Sequence, residues 1–333
     1  MYKFNNKIKR VDWFYENYAK TDDFLIDEFL KKVNESYYYN SAKLYSSRFI
    51  DDIQDAYSSM SEELKIEDTK NKYNVINIGA GTGFDYNILK NLNIQYDSYF
   101  FIEPSKDMIK EFRSRNNDND DKKIVIKNND FHEVLDELRN KDNKFIFINS
   151  VLHHVIYIEK FLDDIKSIMN PDDILVIGHE PNNSYNPLMF FLNLTFRAIF
   201  TSALIKKVPF LKVFYDKEVK SNQRWNKINN QLLDEGVIIK KMSPLTIRRI
   251  IDYGVGHKKD WKRLNIPQDY NEGFIDVHDI SKYLGDKYER KFYVTYRHFG
   301  DSNGNIVIES LNNIFKLVLK NHGTNFLSVW KKF

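Results

Sequence analysis

The sequence predicts an α/β fold with a parallel sheet covered on both faces, and three observations carry that prediction. Short runs rich in β-branched and aromatic residues alternate with segments of helical spacing between about residues 70 and 181. The first run opens directly into a glycine-rich turn, "VINIGAGTGFDY", residues 75–86. Gly79, Gly81 and Gly83 have no Cβ, so the chain can turn tightly there and a ligand can approach the backbone. The alternation then breaks after Glu180 for roughly ninety residues of helical, basic sequence before it resumes. A segment inserted late in a sheet and returning to it is expected to form a lid over the carboxyl ends of the strands.

The elements follow in order. Apolar spacing in "DDFLIDEFLKKV" and "SRFIDDIQDAY" places helices within the first 70 residues. "YNVINIG" is a buried strand and "GFDYNILKNL" a helix; "YDSYFFIE" is a strand, followed by the helix "SKDMIKEFRSR" with Ser105 as its N-cap. "KKIVIKN" and "KFIFINS" are strands, "FLDDIKSIM" a helix and "DDILVIGHE" the fifth strand. Beyond the insertion, "VHDISKYLG" is a helix, "KFYVTYRHF" a strand, "IESLNNIFKLVLK" a helix and "NFLSVWKKF" a closing strand. The polar patch "NNDNDDKK" at 116–123 is expected to be a surface loop.

Composition narrows the function classes. A chain of 333 residues with 42% hydrophobic residues can bury a sizeable core, so disorder is expected only in short segments. The absence of cysteine removes disulfides, thiolate metal sites and a cysteine nucleophile. "MYKFNNKIKRVDWF" lacks an apolar signal region, so a cytoplasmic protein is expected. The most apolar stretch, Leu188 to Ile205, carries Asn193 and Arg197 near its middle, which argues against membrane spanning. Asn193, Arg197 and Thr201 recur every four residues as a polar stripe, expected on a core or interface helix, with peripheral membrane contact as the alternative. From Tyr185 to Leu264 sixteen basic residues face six acidic ones, although the whole chain carries only +3. That segment is either a solvated helical surface or a guide for an anionic partner.

The turn has the spacing G-x-G-x-G, not the G-x-G-x-x-G of dinucleotide sites. Glu103 ends the second strand and Asp130 follows the third. Two acids at successive strand ends suit a nucleoside, because one carboxylate can accept both ribose hydroxyls and the next can meet the adenine amino group. With these residues in view, "VINIGAGTG", "FFIEPSKDMIKEF", "NNDFHEVL", "FIFINSVLHHV", "IMNPDDILVIGHEPN" and "FLSVWKKF" together resemble the class I S-adenosylmethionine-dependent methyltransferases. The resemblance covers roughly residues 70–181 and 274–333. It implies a Rossmann-like seven-stranded sheet with the last strand antiparallel. The implied organisation is an N-terminal helical cover at 1–70, a core at 71–181 and 274–333, and an inserted helical cap at 182–273.

The same resemblance assigns S-adenosylmethionine as cofactor and distributes its contacts. Gly79, Ala80, Gly81 and Gly83 would pass under the methionine part, and Glu103, beside Pro104, would hold the ribose. Asp130 and Phe131 would face the adenine, while Asn149 and Ser150 would border the sulfonium. Asp130 as a helix N-cap and Phe131 as core are the structural alternatives. "SVLHHV" and "HEPN" look like the branch that acts on small metabolites, glycans and lipid-linked substrates.

Transfer of a methyl group from a sulfonium is an in-line displacement, so the protein aligns the nucleophile and removes its proton when it is a hydroxyl. Histidine suits that base. His154 is the first candidate and His153 the second, with His179 and Glu180 as supporting groups; no metal is expected. Adjacent residues are expected to diverge in direction, so at most one of the His153–His154 pair should point at substrate. Tyr37, Tyr38, Tyr39 and Tyr45 in "ESYYYNSAKLYSSRF" are candidates for a cover over cofactor and acceptor, or for helix packing. The expected reaction is methylation of a hydroxyl, with an amine as the alternative, on a small metabolite, sugar or lipid-linked acceptor, with an anionic acceptor suggested by the basic segment. A nucleic-acid methyltransferase is disfavoured, because no RNA-binding module is recognisable and the base-amine signature is absent after the fourth strand. A non-catalytic partner protein is disfavoured by the intact glycine turn and both acids.

Overall fold

The computed structural model describes residues 7–20, 26–45, 50–65, 72–116, 123–155, 157–182, 212–251, 277–299 and 306–333. The Leu188–Ile205 stretch and most of the 116–123 patch lie outside the described residues, as does the side chain of Tyr45. Three helices come first, α1 (Lys7–Tyr18), α2 (Ile26–Tyr45) and α3 (Ile50–Leu64). Then β1 (Tyr73–Ile78), α4 (Phe84–Asn91), β2 (Tyr96–Ile102), α5 (Lys106–Arg115) and β3 (Ile124–Lys127) alternate. A short helix α6 (Leu135–Arg139), which has no side-chain cap, leads to β4 (Lys144–Asn149), α7 (Ile158–Ile168) and β5 (Ile174–Pro181). The chain continues through α8 (Lys212–Asp234), α9 (Pro244–Ile251), α10 (Val277–Leu284), β6 (Tyr288–Tyr296), α11 (Ile306–Val318) and β7 (Asn325–Lys332).

The seven strands form one sheet in the order β3-β2-β1-β4-β5-β7-β6. β1 to β5 pair in parallel, and β7 runs antiparallel to both β5 and β6. Period-two alternation builds two apolar faces. Val75, Tyr99, Phe101, Phe145 and Phe147 pack with Ile53, Tyr57 and Met60 of α3 on one face. Ile76, Phe100, Ile146, Ile148 and Ile177 pack with Leu162 and Ile165 of α7 and with Ile280 of α10 on the other. Ser105 caps α5, its hydroxyl accepting from the Met108 N–H at 3.4 Å.

A third apolar core lies outside the sheet. Phe14 of α1 and Phe29, Leu30 and Val33 of α2 pack with Ile228 and Leu232 of α8 and with Ile247 and Ile250 of α9. The first two helices and the later part of the inserted segment therefore share one helical body, whereas α3 belongs to the sheet. Among the described residues no helix is long and apolar enough to cross a membrane.

The amino ends of the strands carry a closed ion pair. Lys144 and Asp173 are almost completely buried, with Nζ donating to Oδ2 at 3.0 Å. Asp173 also accepts from the backbone N–H groups of Lys144 and Asn170, both at 2.7 Å. Asp173→Ala should cost about 3–5 kcal/mol in chemical denaturation, because it leaves a buried ammonium without its counter-charge. A loss below about 1 kcal/mol would mean that water reaches Lys144.

Candidate active site

The strand order reverses between β1 and β4, so the loops leaving their carboxyl ends diverge and leave a crevice. The glycine turn lines it from β1. Gly79, Gly81 and Gly83 have φ of +65°, +56° and +86°, a region in which side chains are strained. Their surroundings differ. A Cβ on Gly83 would stand 2.2 Å from the Phe112 ring and one on Gly79 2.5 Å from Val151, so both are fixed by packing. A Cβ on Gly81 would meet only the Gly79 carbonyl, at 3.9 Å, so this glycine faces open space.

Glu103, one residue past β2, is 6% exposed and bridges two segments. Its Oε2 accepts from the Gly81 N–H and its Oε1 from the Ser105 N–H, both at 2.8 Å. Each oxygen retains a second lone pair. Burial pushes the carboxyl up to about 7, against the pull of those two N–H groups and with Asp130 adding to the rise. Asp130 is thus close enough to be felt by Glu103. It is exposed and makes no side-chain cap bond, whereas Phe131 is buried and packs edge-on against Phe161 at 5.5 Å. Ala80 is buried, its N–H donating to the Ile102 carbonyl at 3.1 Å, and Pro104 is exposed beside Glu103.

At the end of β4 the structure turns Asn149 inward. Its Nδ2 donates to the Tyr57 hydroxyl and to Asp85 Oδ1, and its Oδ1 has no hydrogen-bond partner. Ser150 follows with φ of +59° and its N–H donating to the Gly178 carbonyl at 2.9 Å. The two adjacent histidines lie with their rings 4.0 Å apart but are anchored to different groups. Glu180, fully buried, accepts from the N–H groups of Val151 at 2.7 Å, Leu152 at 2.8 Å and His153 at 3.2 Å. It also accepts from His153 Nδ1 at 2.8 Å. Burial works to raise the Glu180 carboxyl, but His153 and the N–H donors outweigh it and hold the group below the usual carboxylate range. His153 is therefore drawn back into the protein.

His154 is anchored instead on the helical body. Its Nδ1 lies 2.8 Å from the Ile251 carbonyl, and its ring meets Tyr38 edge-on at 6.1 Å. A carbonyl only accepts, so Nδ1 carries the proton and Nε2 of the neutral ring carries the lone pair. Tyr37 stacks on Trp225 of α8 at 5.9 Å. Tyr39 is 64% exposed. His179, with φ of +54°, has Nδ1 2.8 Å from the Tyr296 hydroxyl and Nε2 3.5 Å from Arg297 Nη1. Burial first, then Arg297 and His153, hold it well below its ordinary pKa, so it stays neutral.

Sequence reasoning did not single out Asp85, Tyr57, Tyr296, Arg297 or the Ile251 carbonyl. Asp85 had a signal, being an acid in the first turn after the glycines on a helix whose neighbours Tyr86, Ile88 and Leu89 are buried. Tyr57 had none beyond its place in an amphipathic helix. Among the described residues no group of three or more His, Asp or Glu is arranged to hold a metal ion.

The family model described as "Methyltransferase domain" matches residues 69–241. The chain belongs to this methyltransferase family. Its cofactor is S-adenosylmethionine, and the chemistry of the site fits that molecule. Glu103 offers lone pairs suited to a ribose diol, and the open face of Gly81 leaves room for a ligand against the backbone. Among solved structures the chain is similar to an S-adenosylmethionine-dependent methyltransferase from Anabaena variabilis, with 10% identity and TM-score 0.48, covering 93% of this chain and 96% of that one. It is also similar to one from Archaeoglobus fulgidus, with 16% identity and TM-score 0.37, covering 84% and 94%. A third is the plantazolicin methyltransferase BpumL in complex with a triazolic desmethylPZN analog and SAH, with 12% identity and TM-score 0.40, covering 92% and 98%. No curated protein matches the sequence.

The different surroundings of the two glycines set an expectation for denaturant unfolding. Gly83→Ala should lose about 2–5 kcal/mol, the sum of left-handed backbone strain and overpacking against Phe112. Gly81→Ala should lose only the strain, about 1–3 kcal/mol. Equal losses would show that the Phe112 contact does not fix the turn.

Proposed function

We propose that this methyltransferase transfers the methyl group to a hydroxyl of a small metabolite, sugar or lipid-linked acceptor, with His154 as general base. The observation that carries the proposal is the different anchoring of the two neighbouring histidines, whose rings lie 4.0 Å apart. His153 is held by Glu180, while His154 faces the helical body with Nδ1 donating to the Ile251 carbonyl. That bond selects the tautomer whose Nε2 accepts a proton. His179 is a poorer base, because its Nε2 already faces Arg297.

In this proposal the bound cofactor supplies an electrophilic methyl group, and the chain's residues do the rest. Glu103 accepts from the ribose hydroxyls, Asp130 meets the adenine edge, and Gly81 lets the methionine part lie against the backbone. Gly79 and Gly83 hold the turn in shape. Glu180 fixes residues 151–153, which sets where His154 stands. Nε2 of His154 takes the acceptor's hydroxyl proton as its oxygen attacks in line. Tyr38 borders the acceptor side of that ring, and the excess of basic residues in the sequence of the inserted segment favours an acceptor carrying negative charge.

Removal of His154 by alanine should lower kcat by about 10²–10⁴-fold and abolish the limb of the pH–rate profile near the imidazole pKa, with cofactor affinity nearly unchanged. Near-normal kcat and pH dependence would remove the base from His154; a loss confined to cofactor affinity would make it a support of the cofactor loop.

Glu103 gives a separate binding test. Ribose hydroxyls donate to the ionised carboxylate, so binding lowers a pKa that stands at about 7 in the free protein. The sign follows: affinity for S-adenosylmethionine is full above that pH and falls as pH drops through it, by up to about tenfold per unit. Glu103→Ala should lose about 1.5–3 kcal/mol of affinity in calorimetry near pH 8 and make this profile shallower. Unchanged affinity would overturn the ribose assignment.

A further inference from the structure

We propose that Asp85 makes the site prefer the positively charged sulfonium of S-adenosylmethionine to the neutral thioether of its demethylated product, an inference that rests on the cofactor placement proposed above. Asp85 lies two residues past Gly83, in the first turn of α4, and is 3% exposed. Its carboxylate accepts from the side-chain amide of Asn149, the last residue of β4. It therefore sits directly behind the two segments, glycine turn and β4 end, that flank the methionine part of the cofactor. Asn77 of β1 adds a second amide, and Asn77 in turn donates to the Tyr99 hydroxyl at 2.8 Å. Tyr57 of α3 closes the cluster through the same Asn149 amide.

The neighbours of this carboxylate are amides and phenols. Tyr57 and Tyr99 face it from α3 and β2, and beyond them lie Tyr296 of β6, Tyr96 of β2 and Tyr86 of α4. Burial, with Asp85 adding, holds the Tyr57 and Tyr99 hydroxyls well above their ordinary pKa, so both stay neutral through the working range. Burial also pushes the Asp85 carboxyl up to about 7, against the two amides. Among the described residues the Asn77 and Asn149 amide oxygens have no hydrogen-bond partner, and a flipped amide can accept the proton of the neutral acid. Both protonation states are thus accommodated, and a nearby positive charge selects the ionised one.

The reactant and product differ in the charge on sulfur and in the one methyl group transferred. Both carry the same adenosine and the same amino-acid group, but methyl transfer leaves the S–C electron pair on sulfur and removes its positive charge. In a low-dielectric site a carboxylate behind the sulfur senses that difference. The consequence is functional. Above the Asp85 pKa the product is held less tightly than the reactant, which favours its release.

Calorimetry of the wild-type chain with S-adenosylmethionine and with S-adenosylhomocysteine, between about pH 5.5 and pH 8.5, tests this. The ratio of the product Kd to the reactant Kd should rise by about tenfold with pH, the effect of a one-unit displacement of the Asp85 pKa. Glu103 titrates in the same range, but it faces the ribose common to both ligands and cancels from the ratio. Asp85→Asn should flatten the rise, and Tyr57→Phe, which keeps the carboxylate, should preserve it. A flat wild-type ratio with both ligands bound overturns the role of Asp85 and leaves the cofactor placement standing. A rise that survives in Asp85→Asn assigns the effect to another group and also overturns it. Failure of either ligand to bind at any pH overturns the placement and the inference together. A flat wild-type ratio overturns the inference even where a substituted chain does not fold.

Discussion

One buried carboxylate organises the catalytic edge of this molecule. Glu180 collects three consecutive backbone N–H groups and an imidazole N–H, all from the segment that follows β4. Leaving those donors unmet inside the protein would cost several kcal/mol. The segment is therefore bound to the end of β5, and its geometry is that of the sheet. Glu180 reaches it because β5 is bulged: the register against β7 shifts between Gly178 and Glu180, and His179 takes the left-handed conformation. A bulge re-aims the following side chain. Strain at His179 is thus coupled to the placement of His153 and His154.

The helical body acts on the same segment from the opposite side. The Ile251 carbonyl at the end of α9 and the Tyr38 ring of α2 both meet His154. α2 and α9 are far apart in sequence but share one apolar core with α1 and α8. The orientation of this imidazole therefore depends on the packing of two distant parts of the chain. A substitution that loosens that core, for example at Phe29 or Ile247, would free the ring without touching the sheet.

Much of this was legible in the sequence, for physical reasons that differ by element. The strands β4 and β5 carry continuous apolar runs, "FIFI" and "ILVI", because both of their faces are covered, and the glycine turn is visible because packing against Phe112 and Val151 admits no side chain. Ser105 was readable as a cap from its place before "KDMI". The fold of α1 and α2 onto α8 and α9 was not readable, since amphipathic spacing says that a helix buries a face and not which partner covers it. Asn149 shows the same limit at the level of one side chain. Its place at the end of β4 is evident from sequence, whereas its turn toward Tyr57 and Asp85 depends on an α3 residue ninety positions away.

The two ends of the sheet treat buried charge in opposite ways. At the amino ends Asp173 is matched by Lys144 at 3.0 Å, so charge is neutralised within the protein. At the carboxyl ends Glu103 and Asp85 are both buried and both pushed up to about 7, and they accept from backbone N–H groups and amides. Burying a carboxylate without a cation costs folding free energy, and that cost grows as pH rises and the groups ionise. Such a cost persists where it serves a ligand. S-adenosylmethionine would bring hydroxyl donors to Glu103 and positive charge toward Asp85, the two complements that these carboxylates lack. The electrostatic deficit and the open face of Gly81 lie on one side of the sheet, and together they support the placement of the cofactor there.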